Sequence, residues 1–383
     1  MWWHSCRPIQ EDNMESNERY ARHYSLKGFG TTGQQKLAAA RVLVIGAGGL
    51  GCPVLQYLAS VGVGDIGIAD HDTVSLSNLQ RQVLFSAEDI GKPKAGIAAA
   101  RLKALNPEIS ITTINGAITT ANALEIITEY DVIVDCTDNF ATRYLVNDAC
   151  VLLDKPLVFG AISQYEGQVS VFNMPNQKGD TINYRHLFAT PPNPLEVQDC
   201  NEAGVLGVLP GIIGTLQATE VIKIITGIGE VLAGKLLTFN LLNYQTYAFE
   251  ITVHDLEAGV LPTNEAVFKA TDYEWLCGTK AAGINELDAE AFLRTFNDAD
   301  AIIIDVRENR ELPKADFDCL QMPLSTLTDN LPEIIENNII LFCQSGKRSL
   351  IAGQLFLEHY KNQKNISHLT GGILALQEYG QKH

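Results

Sequence analysis

An α/β chain in two units is what this sequence predicts: a large domain on a mostly parallel sheet, then a smaller α/β domain. Three observations carry the prediction. Short apolar runs alternate with helical patterns through the first half; a glycine-rich turn joins the first such run to a helix; and the alternation resumes from Ile284 after a break in composition. Strand–helix alternation implies parallel strands covered on both faces.

Taken in order, Val42–Ile45, Ile66–Ala69, Ile109–Ile114 and Val132–Asp135 read as strands, and Leu50–Val61, Lys94–Leu105 and Ala121–Glu129 as the helices between them. Leu157–Phe159 continues the sheet, and Gly167–Phe172 and Leu236–Leu241 read as later strands of antiparallel type. Asn176–Val197, with prolines at 191, 192 and 194, breaks the rhythm and reads as a long crossover loop; loops of that length are usually functional or mobile. Gly211–Thr226 reads as a helix, and residues 255–283 as a linker. In the second unit, residues 284–383, Ala301–Val306 and Ile339–Cys343 read as strands and Ser349–Tyr360 as a helix. Residues 1–18 are polar and irregular, a tail expected to be disordered, with Met14 as an alternative start. The first domain then spans residues 19–254.

A length of 383 residues suits two or three domains and at least one large core. No apolar run reaches the roughly 18 residues of a membrane span, and no basic region followed by an apolar one opens the chain, so neither a span nor a secretion signal is expected. The net charge of −17 argues against broad nucleic-acid binding and suits a partner with a basic face. The eight cysteines lack small-scaffold spacing, so free thiols in a reducing cytoplasm are expected.

The chemistry starts at Arg41-Val-Leu-Val-Ile-Gly-Ala-Gly-Gly-Leu-Gly51. An apolar run ending in glycines before a helix is a Rossmann-like phosphate turn, with backbone N–H groups and a helix N-terminus facing the ligand. Alone it suits NAD or FAD equally well. Three downstream strings separate the cases: Asp70-His71-Asp72-Thr73-Val74-Ser75-Leu76-Ser77-Asn78-Leu79-Gln80-Arg81-Gln82, then Lys92-Pro93-Lys94, then Asp135-Cys136-Thr137-Asp138-Asn139. Hydride transfer has no use for two basic groups and a carboxylate aimed at phosphates. ATP cleavage does, because charge develops on the departing pyrophosphate. There is no Gly-x-x-x-x-Gly-Lys-[Ser/Thr] run, so this is not a P-loop.

From about Arg19 to about Glu250 these strings resemble the MoeB/ThiF/HesA adenylyltransferases, relatives of the ubiquitin-activating enzymes. The resemblance implies ATP and Mg²⁺ and assigns parts to matching positions. Gly46, Gly48, Gly49 and Gly51 would let the backbone approach the phosphates. Asp70 would accept hydrogen bonds from the ribose, with Asp72 assisting. Asn78, Arg81 and Lys94 would contact phosphates, arginine as a fork and lysine as a point charge, and Gln82 would support the loop. Asp138 would hold Mg²⁺, since a hard cation prefers carboxylate oxygen; its bland alternative is a helix N-cap. Arg19-Tyr20-Ala21-Arg22-His23 matches the segment whose second arginine reaches the partner subunit's nucleotide, so Arg22 implies a homodimer with shared sites.

Asp199-Cys200-Asn201-Glu202-Ala203-Gly204 matches the segment whose cysteine rides the crossover loop. A thiolate there is a nucleophile toward an acyl adenylate, which makes Cys200 a candidate catalytic residue; the alternative is an incidental loop thiol. The family also carries two Cys-x-x-Cys pairs for structural zinc. The matching positions here are Asn183-Tyr184-Arg185-His186 and Glu274-Trp275-Leu276-Cys277, which leave His186 and Cys277 as common ligands. Structural zinc needs about four, so bound zinc is not expected.

In the second unit an apolar strand leads into Cys343-Gln344-Ser345-Gly346-Lys347-Arg348-Ser349 and a helix. A thiol placed among backbone N–H donors beside Lys347 and Arg348 is favoured as thiolate or persulfide. With Ile304-Asp305-Val306-Arg307 upstream and Leu369-Thr370-Gly371-Gly372 downstream, residues from about Ile284 to His383 resemble a rhodanese domain. The match is degraded at Asp316–Pro323. The resemblance implies a persulfide on Cys343, with Gly346, Lys347 and Arg348 in its loop.

Together the two resemblances imply an adenylyltransferase fused to a sulfurtransferase. The first domain would adenylate the C-terminal glycine of a small ubiquitin-like sulfur-carrier protein. Cys343, loaded by a donor such as a cysteine desulfurase, would then give a carrier thiocarboxylate. Molybdopterin synthesis is the first pathway implied and thiamine synthesis the second. The rivals are a nicotinamide-dependent oxidoreductase and a nucleotide-binding scaffold without turnover.

Overall fold

A computed structural model describes residues 18–191, 204–253, 256, 259–273, 283–327, 331–361 and 363–382. The tail at 1–17 and Cys200, Glu274 and Cys277 lie outside the described residues. The chain divides into two compact units, the first running to Tyr273.

The first unit is built on eight strands: β1 (Arg41–Ile45), β2 (Asp65–Ala69), β3 (Ser110–Ile114), β4 (Val132–Asp135), β5 (Leu157–Ser163), β6 (Glu166–Phe172), β7 (Lys235–Asn240) and β8 (Thr246–Glu250), in the spatial order β3-β2-β1-β4-β5-β6-β7-β8. The first five run parallel, with Val42 beside Ile66 on one flank and Val132 on the other; β6 to β8 add antiparallel ribbons. Val42, Leu43 and Val44, with Val132, Ile133 and Val134, are shut off from solvent on both faces, as central parallel strands require. The chain winds outward from β1 to β3, then returns to place β4 on the other side of β1. This reversal opens a crevice at the carboxyl ends of β1 and β4, where ligands bind in open α/β sheets.

The helix Val208–Thr226 is 19 residues long, and its best window has a mean hydropathy of 1.4, enough in length and composition to cross a membrane. Half of that window is buried, and Leu209, Ile213, Ala218 and Val221 join the core of the sheet. It is a core helix that also carries Gln217, Glu220 and Lys223.

The second unit holds five parallel strands in the order β11-β10-β12-β13-β9, namely β9 (Ile284–Leu287), β10 (Ala301–Asp305), β11 (Leu320–Gln321), β12 (Asn338–Phe342) and β13 (Asn365–Leu369). Its core gathers Ile304, Ile339, Leu341, Leu350 and Phe356.

Two regions differ from the sequence reading. The stretch read as a linker contains the helix Glu265–Ala270, capped by Asn264, whose side chain accepts from Val267 N at 3.0 Å. Phe268 is fully buried there, and the Tyr273 hydroxyl donates to Asp148 Oδ2 at 2.8 Å, so the first unit extends through this segment. The crossover loop holds a short helix, Tyr184–Leu187, whose Tyr184 ring packs on Tyr144, Phe159, Phe172 and Phe188.

Candidate active site

Four strand ends build the crevice. After β1, Gly46 takes φ +96°, and an added Cβ would stand 2.7 Å from Cys136 O, so only glycine lets this turn pass against the β4 exit. After β2, Asp70 Oδ2 accepts from Ala47 N at 2.7 Å and Oδ1 from Asp72 N at 2.8 Å, which fastens the acid across the glycine turn. Residues 116–118 arrive after β3, and Cys136, Thr137, Asp138 and Asn139 after β4. Gly46, Gly48, Gly49, Asp70, Asp72, Arg81, Gln82, Lys94 and Asp138 all line this one cleft.

The charges there are held in different ways. Lys94 is almost wholly buried along its side chain, and its Nζ donates to Asp72 Oδ2 at 2.8 Å, so Asp72 aims the ammonium. Arg81 is partly exposed and anchors one guanidinium nitrogen on Ser77 O at 3.1 Å. Asp138 is exposed. The helix Phe140–Leu153 is capped by Asn139 instead, whose side chain accepts from Thr142 N at 2.9 Å. The N-cap alternative for Asp138 is thereby corrected, and its carboxylate stands uncommitted to the helix in the cleft. Gln82 also lines the cleft, and its buried Oε1 has no protein hydrogen-bond partner. An exposed carboxylate, two cations and an unsatisfied buried oxygen suit a hydrated divalent cation on a polyphosphate.

Three assigned residues lie elsewhere. Asn78 does not line the cleft; it closes a capping box on the Leu76–Asn78 turn, accepting from Ser75 N at 3.4 Å. Gly51 also lies outside the lining. A Cβ on it would meet Gly46 O at 1.9 Å, so its role is close packing of the helix Gly51–Val61 onto the turn. Arg22 is exposed on the short helix Ala21–Tyr24 and does not line its own chain's cleft.

The cleft also contains residues the sequence reading passed over. Arg143, buried, donates to Thr137 O at 3.0 Å and pairs with Asp135 Oδ2 at 3.4 Å. Asp135 Oδ1 in turn accepts from Thr137 N and Oγ1 at 2.9 and 2.6 Å, so the pair fixes the turn that presents Asp138. Thr142, Ile118 and Ile162 complete the wall. Among the described residues, two thiols near the cleft are disfavoured as thiolates. Burial pushes Cys52 up to about 12, and burial, then the Asp135 charge, pushes Cys136 up strongly.

At the positions matching the family's zinc pairs, the described residues do other work. Asn183 N donates to His186 Nδ1 at 3.1 Å in a capping box. Arg185 is buried and grips Asp148 with two bonds, Nε to Oδ1 at 2.8 Å and Nη2 to Oδ2 at 2.6 Å. A guanidinium in that place does not suit a dication.

In the second unit β12 delivers Cys343 into a closed turn. The thiol has no exposure, and Gly346 N donates to Sγ at 3.1 Å. Gly346 takes φ +92°, and a Cβ would press on Gly371 N at 2.8 Å. Lys347 opens the next helix, Lys347–Tyr360. Arg348 is paired with Glu311.

Residues 20–258 match the ThiF family. The chain belongs to that family. Among relatives, a sulfur carrier protein adenylyltransferase from Thermus thermophilus is 48% identical over 269 residues, covering 70% of this chain and 98% of that protein. A probable adenylyltransferase/sulfurtransferase MoeZ from Mycobacterium tuberculosis is 39% identical over 381 residues, 96% of this chain and 94% of that one. An adenylyltransferase and sulfurtransferase MOCS3 from Drosophila persimilis is 36% identical over 93% of this chain and 82% of its own. Among solved structures, E. coli MccB aligns with a TM-score of 0.55 at 25% identity over 66% of this chain and 74% of that one. Its complex with ATP gives 0.54 at 26% identity over 62% and 73%. Within the ThiF family this chain is an adenylyltransferase joined to a sulfurtransferase unit.

Proposed function

We propose that the chain activates the C-terminal glycine of a small ubiquitin-like sulfur-carrier protein with ATP and converts the acyl adenylate to a thiocarboxylate. The observation that supports this most is the meeting of Asp70, Arg81, Lys94 and Asp138 with the Gly46 turn at the switch point of the sheet.

ATP lies with its ribose on Asp70 and its phosphates on the glycine turn, Arg81 and Lys94. The carrier carboxylate attacks the α-phosphorus, the bond to the β-phosphate oxygen breaks, and pyrophosphate leaves. Arg81 and Lys94 take up the charge that develops on it. Asp138 would hold Mg²⁺, which when bound supplies further positive charge to the leaving group. Asn78 supports this constellation through its turn and Gly51 through packing. Asp72 aims Lys94, and Arg143 with Asp135 holds the turn of Asp138.

Cys343 receives sulfur as a persulfide from a donor such as a cysteine desulfurase. The outer sulfur attacks the acyl adenylate, AMP leaves, and an acyl disulfide joins carrier to Cys343. A second thiol, for which Cys200 is the candidate, attacks the Cys343 sulfur, the S–S bond breaks and the thiocarboxylate leaves; the disulfide left on Cys343 is reopened by a dithiol reductant of the compartment before the next turnover. Free thiols and a persulfide need a reducing compartment, the cytoplasm. Arg22, exposed and away from its own cleft, serves the partner's site in a homodimer.

Intact-mass spectrometry of carriers incubated with the protein, Mg·ATP and a persulfide donor tests this reading. A thiocarboxylate on a molybdopterin-type carrier is expected; one on a thiamine-type carrier alone moves the pathway. Pyrophosphate release without modification removes the sulfur step, and neither signal with any carrier returns weight to a non-catalytic scaffold.

A further inference from the structure

Gln82 lies between β2 and the helix Lys94–Leu105, and its backbone is fixed on both sides. Gln82 N donates to Asn78 O at 2.9 Å, and Phe85 N donates to Gln82 O at 3.1 Å. Leu84 and Phe85 then enter the core of the sheet. Backbone bonds and core packing hold this segment, and neither calls on the glutamine side chain.

A glutamine that braced the segment would spend its amide on nearby backbone. Gln82 does not. It is only 4% exposed, its Oε1 is buried without a protein partner, and among the described residues nothing bonds its Nε2. A buried amide left unpaired raises the free energy of the fold, and natural chains keep few of them. Its polar neighbours in the cleft differ. Lys94 is paired with Asp72, Arg81 with Ser77 O and Asp70 with Ala47 N, while Asp138 is exposed and solvated.

The amide stands against the glycine turn. Gln82 lines the cleft together with Gly48 and Gly49, and its Nε2 is the nearest atom to a Cβ built on Gly48, 3.6 Å away. Phosphates approach the backbone at such a strand–turn–helix junction. Arg81 and Lys94 already bring positive charge to the cleft. A neutral donor adds direction without further charge, and its bond to an anionic oxygen is stronger than one between neutral groups.

We infer that Gln82 is a nucleotide-contacting residue: its amide, unpaired within the protein, donates from Nε2 to a phosphate oxygen of bound ATP. This rests on the cleft being the ATP site. No bond within the protein has to break first, so the side chain is free to turn onto the ligand. Gln82 thus lowers the stability of the free protein and returns that loss as affinity.

A brace and a ligand contact predict opposite signs. Replacing a brace by an apolar side chain of similar length lowers stability, whereas replacing an unpaired buried amide removes a desolvation penalty. In full-length Gln82→Met without nucleotide, the urea midpoint of the first unit should therefore equal or exceed that of wild type. The same protein should bind the Mg²⁺ complex of α,β-methylene-ATP, whose α–β bridge is not cleaved, about tenfold or more weakly by isothermal titration calorimetry. Wild-type affinity in Gln82→Met overturns the inference, and so does a lower midpoint, which would make the amide a brace. Should Gln82→Met fail to fold, Gln82→Ala decides, since it adds no volume. A folded Gln82→Ala with weakened binding supports the inference; one that binds like wild type, or also fails to fold, overturns it. Lys94→Ala is the control for the cleft. If it binds the analogue as wild type does, or if wild type binds none, the reading of the cleft as the ATP site has failed and the inference falls with it, an outcome distinct from a failure at Gln82 alone.

Discussion

Two strand-to-helix turns in this chain begin alike and end as opposites. The turn after β1 and the turn after β12 both leave a buried parallel strand, both rely on a left-handed glycine (Gly46 at φ +96°, Gly346 at φ +92°), and both lead into a helix. The first opens. Around it the ends of β2 and β4 bring Asp70 and Asp138, and the start of the helix Lys94–Leu105 brings Lys94, into a cleft, while burial pushes up the thiols of Cys52 and of Cys136 after β4. The second closes on a single sulfur with no exposure and a backbone N–H at 3.1 Å. Backbone geometry alone therefore does not choose the chemistry. The side chains that adjoining elements deliver decide whether the N–H groups meet a polyphosphate or a sulfur anion.

Separating the two turns by mutation should separate the two activities. The largest effect is expected from Cys343→Ala: complete loss of thiocarboxylate formation with a persulfide donor, and carrier-dependent ATP–pyrophosphate exchange unchanged. Thiocarboxylate formed by that variant would break the division. Next is Asp138→Ala, for which exchange should fall by at least about a hundredfold while sulfur loading of Cys343 proceeds as in wild type. Exchange at the normal rate in this variant would remove Asp138 from the cleft's chemistry.

The same comparison explains what could be read in the chain. The glycine turn and the Cys343 loop are contiguous strings whose pattern points to their chemistry, Lys94 and Asp138 sit in strings whose family resemblance implies theirs, and the central parallel strands β1 and β4 announce themselves as apolar runs. Arg143, Thr142 and Ile118 are invisible that way, because each matters only once β3, β4 and the helix after β4 have been brought together. The string around Asn78 points to phosphate, yet its side chain is spent on a local turn. The supposed linker hides a domain edge because few of its described residues are buried, Pro262, Phe268 and Tyr273, and Tyr273 bonds Asp148, far back in sequence. Asp148 is the buried centre of that edge, taking Arg185 and Tyr273 together. Asp148→Asn leaves the Arg185 guanidinium buried without its counter-charge, so a loss of about 3 kcal/mol in urea unfolding of the first unit is expected. A change below about 0.5 kcal/mol would mean that water satisfies Arg185 and that the edge opens easily.

Two glycines of the open turn offer the finest division, between packing and ligand approach. On Gly51 a methyl group would meet Gly46 O at 1.9 Å, a backbone atom that no rotamer change can move aside. Gly51→Ala should therefore cost about 2 kcal/mol or more through overpacking, seen as a lower unfolding midpoint with or without nucleotide. On Gly48 the nearest atom to an added Cβ is Gln82 Nε2 at 3.6 Å, an ordinary contact, and its φ is not left-handed. Gly48→Ala should leave unfolding within about 0.5 kcal/mol of wild type and instead raise the KM for ATP, because the methyl intrudes where the phosphates approach the backbone. Equal stability losses in both variants would show that the turn is uniformly packed, and that the open space beside Gly48 is not reserved for a ligand.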